Sequence, residues 1–217
     1  MDLRLNGQTA IVTGASRGLG LAIMRGLVAE GVHVTAGALK SSAELDELAG
    51  AGQVRVVEVD LAEPGGPARL VAAAGDRIDI LVNNVGAAPA RPGGFGGITD
   101  EDWQASLTLN LMAAVRTTRA ALPVMLAAGK GAIVTISSAN AFLPDPAVMD
   151  YSAAKAALAS FSKSLSKEAG AASGSTRSAR ARSPPTCGSA TTASRRRSAA
   201  RPAPGPRTSR ATRRTRW

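Results

Sequence analysis

Tyr151 and Lys155 stand at i and i+4 in a run that reads as a helix, so they share one face, and Ser138 follows a short apolar run just ahead of them. A phenol is a poor acid or base at neutral pH, but an ammonium beside it favours the phenolate. The trio is therefore suited to exchanging a proton with a substrate oxygen. A single Tyr-x-x-x-Lys pair is more often a plain helix-surface pair, so this chemistry needs a second signal. That signal is Thr13-Gly14-Ala15-Ser16-Arg17-Gly18-Leu19-Gly20, which follows a strand-like run and leads straight into a helix-compatible one. Glycines there let the backbone turn tightly and approach a pyrophosphate, whose charge is favoured by the unpaired N–H groups and positive dipole end of the helix. The spacing is not the Gly-x-Gly-x-x-Gly of the usual dinucleotide fingerprint, so the turn alone is equally compatible with an ordinary glycine-rich loop.

The elements that must position these groups are legible as an alternation. Apolar, β-branched runs predict buried strands over 9–13, 32–35, 54–59, 78–82 and 132–136, and amphipathic stretches predict helices over 19–30, 43–49, 68–74, 100–126 and 152–168. This order predicts an α/β fold, a Rossmann-like doubly wound parallel sheet with helices on both faces, and places a ligand outside the carboxyl ends of the strands. The second strand leads into Gly37-Ala38-Leu39-Lys40-Ser41. The carboxylate that would hold the ribose 2′-hydroxyl of NAD is absent there, whereas Arg17 and Lys40 are cations suited to a 2′-phosphate, so NADP(H) is favoured over NAD(H). The plainer alternative is that both are solvated surface cations. His33 falls in the second strand, away from the other groups, and reads as structural.

Five signals in order and spacing resemble the short-chain dehydrogenase/reductase family over about residues 5–168. They are the Thr13 to Gly20 turn, Asp60 after the third strand, Asn83-Asn84-Val85-Gly86 after the fourth, Asn110 in the long helix, and Ser138 with Tyr151 and Lys155. Val85 stands where the family usually has Ala. The resemblance implies an oxidoreductase in which hydride passes between a nicotinamide and a carbonyl carbon while Tyr151 exchanges a proton with the substrate oxygen. It implies that Ser138 polarises that oxygen, that Lys155 holds the nicotinamide ribose and favours the Tyr151 phenolate, and that Asn110 anchors a proton-relaying water. Gly14, Ser16, Arg17, Gly18, Leu19 and Gly20 would cradle the phosphates, Asp60 and Leu61 would contact adenine, and Asn84 and Gly86 would line the cleft. The expected partner is a small-molecule carbonyl or alcohol, and pairing of copies through the long helices is open.

Charge divides the chain. The formal net charge is +10, yet 12 of the 26 basic residues and none of the 16 acidic ones follow Glu168, so residues 1–168 are mildly acidic. Residues 169–216 contain no Val, Ile, Leu, Met, Phe or Tyr and are expected to be disordered, because nothing in them can offset the entropy of ordering. The resemblance implies a sixth strand, a Pro-Gly turn, a substrate-covering segment and a seventh strand at this place, and none is legible. Joining the third base of each codon to the first two of the next permits such a strand and turn across 171–189. The tail is therefore read as an out-of-frame product, and the chain as written is expected to be poorly stable and weakly active or inactive. Rival readings are a cofactor-binding protein without turnover, and a basic arm that binds nucleic acid or another polyanion. No run has transmembrane length, and the single Cys187 supports neither a disulfide framework nor a metal site, so a cytoplasmic protein is expected.

Overall fold

The computed structural model describes residues 3–172. The expectations for the tail beyond them lie outside the described residues. Five parallel strands form one sheet: β1 (Thr9–Thr13), β2 (His33–Ala38), β3 (Val54–Glu58), β4 (Ile80–Asn83) and β5 (Ala132–Thr135), in the order β3-β2-β1-β4-β5. The predicted doubly wound α/β sheet is what the chain builds. The helices are α1 (Gly18–Ala29), α2 (Ala43–Gly50), α3 (Gly66–Ala74), α4 (Asp100–Leu107), α5 (Ala113–Ala127) and α6 (Met149–Ala172).

The pleat of β1 sorts the core into two layers. Ala10 and Val12 face a cluster with Met24 of α1 and Leu45 of α2, while Ile11 faces the opposite cluster with Leu70 and Val71 of α3 and Ala121 and Met125 of α5. Ile11, Val12 and Leu81 are fully buried, which marks β1 and β4 as the centre of the sheet. This is the residue pattern of strands covered on both faces.

Local chemistry fixes the helix starts. Ser42 caps α2 by accepting from Leu45 N–H, Pro67 sits in the first turn of α3, and Thr99 with Asp102 forms a capping box on α4. The predicted single helix over 100–126 is instead three pieces, because residues Thr108–Met112 between α4 and α5 form a π-helical segment. The predicted helix over 152–168 begins three residues earlier, which puts Tyr151 in its first turn, and continues to Ala172. No described helix is long and apolar enough to cross a membrane.

Candidate active site

The carboxyl end of β1 makes the first half of the site. The chain turns at Gly14 (φ +68°), and α1 opens at Gly18 (φ +57°), conformations that glycine adopts without the steric cost of a side chain. The N–H groups of Gly14 and Ala15 both donate to the Gly37 carbonyl at 2.8 and 3.1 Å, pinning the turn to β2. Asn84, just past β4, pins its other side: Nδ2 donates to the carbonyls of Thr13 and Gly14 at 2.9 and 3.1 Å, and the Asn84 N–H donates to Thr13 Oγ1 at 2.8 Å. A Cβ on Gly20 would overlap the Gly14 carbonyl and the Asn84 amide, so only glycine lets the first turn of α1 close on the bend. Arg17 precedes the helix and makes no side-chain cap, leaving the first amides of α1 as donors for an anion.

Above this turn lies a cleft of about 630 Å³. Of the residues expected to hold a cofactor, Gly14, Ser16, Arg17, Gly18, Leu19, Gly20, Asp60, Leu61, Asn84 and Gly86 line it. Lys40 does not, although Leu39 beside it does, and both are exposed. Asp60 uses Oδ1 to accept from the Ala62 N–H, and the Leu61 side chain is buried in the core. His33 opens β2 at the other end of the strand.

The second half is built from the π-helical segment and α6. Asn110 is buried, its Nδ2 donating to the carbonyls of Ala87 and Ser106 at 2.9 and 3.1 Å and its Oδ1 accepting from the Ala87 N–H at 3.0 Å. Lys155 is 3% exposed, donates to the Ile136 carbonyl at 3.0 Å and holds its ammonium 5.8 Å from the centre of the Tyr151 ring. Burial lowers the Lys155 pKa to about 8. Gly86 joins the halves, because a Cβ there would stand 2.7 Å from Asn110 Oδ1 and 3.4 Å from Lys155 Nζ. Ser138 is buried, its Oγ accepting from the Asn140 N–H, and the turn Ala139–Ala141 that follows it packs on α6. Tyr151, Lys155 and Ser138 do not line the cleft above the turn; Lys155 adjoins Gly86.

Sequence reasoning gave no individual role to three residues here. Thr13 supplies the hydroxyl that takes the Asn84 N–H, and also donates to the Val82 carbonyl at 3.2 Å. Asp150 is fully buried immediately before Tyr151, and Arg91 reaches it with Nη2 at 2.7 Å. A carboxylate adjoining the phenol was the available signal for the last pair.

The family model described as short chain dehydrogenase matches residues 8–174. The chain is 34% identical over 172 residues to the uncharacterized oxidoreductase YvrD of Bacillus subtilis (strain 168), a match covering 77% of this chain and 65% of that protein. Among solved structures it resembles a metagenomic short-chain oxidoreductase in complex with NADP, with TM-score 0.75 and 32% identity over 85% of each chain. It also resembles L-sorbose reductase from Gluconobacter frateurii, complexed with NADPH and L-sorbose, with TM-score 0.72 and 37% identity over 77% of this chain and 66% of that one.

Proposed function

The chain belongs to the short-chain dehydrogenase/reductase family, and on that premise we propose that it is an NADP(H)-dependent oxidoreductase interconverting a carbonyl and a secondary alcohol. The single observation that carries this reading is the junction at Gly86, where a dinucleotide-sized cleft on a glycine turn meets the Lys155 ammonium and the Asn110 amide. The fit is steric as well as electrostatic: glycine alone is accommodated at positions 20 and 86, and the first amides of α1 have no side-chain cap and are left as donors for an anion. A nicotinamide dinucleotide bound there supplies or accepts the hydride.

The chain's own residues handle the proton and the geometry. Tyr151 exchanges a proton with the substrate oxygen, and the Lys155 ammonium beside its ring favours the phenolate. Ser138 donates to the same oxygen, and Asn110, whose Oδ1 retains a lone pair beyond its bond to Ala87, anchors the proton path behind Lys155. Preference for the 2′-phosphate rests on exposed Arg17 and Lys40 and the missing carboxylate after β2. Two relatives whose structures hold NADP or NADPH support it by likeness.

Carbonyl-dependent NADPH oxidation, measured on the full chain beside a frame-restored version, tests the reading. In whichever turns over, Tyr151→Phe is expected to bind NADPH normally while losing roughly a hundred- to ten-thousand-fold in turnover. A variant that keeps full turnover overturns it.

A further inference from the structure

Arg91 lies in the loop after β4, far in sequence from the phenol, yet it ties together three separate pieces of chain around it. Its Nη1 donates to Asp102 Oδ1 at 2.8 Å, its Nη2 to Asp150 Oδ2 at 2.7 Å, and its backbone N–H to the Ala147 carbonyl at 2.8 Å. Asp102 is the capping-box residue of α4, while Ala147 and Asp150 flank the start of α6. Asp150 is 0% exposed and directly precedes Tyr151. A buried carboxylate is tolerated only when a partner satisfies it, and its one ion-pair partner among the described residues is Arg91.

We propose that Arg91 is a positioning residue for the proposed proton exchange: it clamps the first turn of α6 to α4 and so fixes Tyr151. The inference rests on the proposed role of Tyr151. Burial disfavours the Asp150 anion, but the Arg91 hydrogen bond, followed by the Tyr151 amide, outweighs it and holds the carboxyl below its usual range.

Turnover of Arg91→Ala should fall about tenfold or more with KM for NADPH changed less than about threefold, as expected for lost orientation at the phenol. Arg91→Lys, which keeps charge but not the fork, should recover part of it. If Arg91→Ala fails to fold, Arg91→Lys carries the same comparison. Turnover that stays intact in every folded variant, or a loss of turnover matched by an equal rise in KM for NADPH, overturns the inference. Full turnover by Tyr151→Phe overturns the functional reading beneath it instead, so the two failures are distinguishable.

Discussion

Lys155 shows what the site costs a single residue. Its ammonium is almost entirely removed from water and has one carbonyl as hydrogen-bond partner, so burial pulls its pKa from 10.5 to about 8. Between these values the folded chain has released a proton that the unfolded chain still holds, so stability rises with pH across that window and the cost is greatest below it. Relative to Lys155→Met, the wild type is expected to gain up to about 3 kcal/mol as pH is raised from 8 towards 10.5, by denaturant melts at each pH. Tyr151, Lys155, Ser138 and the glycine turn stand out in the sequence because their residue types and spacings suit the proposed chemistry directly. Arg91 does not, since one arginine in a Pro- and Gly-rich loop has no periodicity to mark it, and its importance lies in contacts to residues 102 and 150.

Elements were legible to the extent that apolar periodicity recorded them. β1 matches the expected span, but β2 continues through Ala36, Gly37 and Ala38, whose small side chains give no β-branched signal although the sheet buries them. The π-helical segment was invisible because a single wide turn leaves the apolar stripe of a long helix nearly unchanged. It nonetheless carries Asn110, consistent with the tendency of such turns to sit at functional sites. α4 depends on its cap: Asp102 both accepts from the Thr99 N–H and takes Arg91, so the capping box is wired to the start of α6. Thr99→Ala should cost about 1 kcal/mol in equilibrium unfolding and lower turnover through the same connection. A neutral result in both would show that the cap and the clamp act independently.

At the scale of the molecule, the strand order places β1 between β2 and β4, so the crossovers that follow β1 and β4 run in opposite directions. That switch point is where the cleft opens, as the alternation of strands and helices predicted. The alignment with YvrD spans 65% of the length of that protein, so the substrate and partners of a complete relative do not transfer to this chain. What the described residues do contain is a glycine turn, proposed to bind phosphate, with Gly86 across the cleft from it and against Asn110 and Lys155. NADPH fluorescence titration of the full chain against Gly20→Ala, with thermal melting to establish folding, tests whether that turn is where the dinucleotide rests. Saturable binding by the wild type, weakened about tenfold or more by the added methyl, is the predicted result. A folded wild type that does not bind NADPH, or a Gly20→Ala chain that binds it equally well, would contradict it.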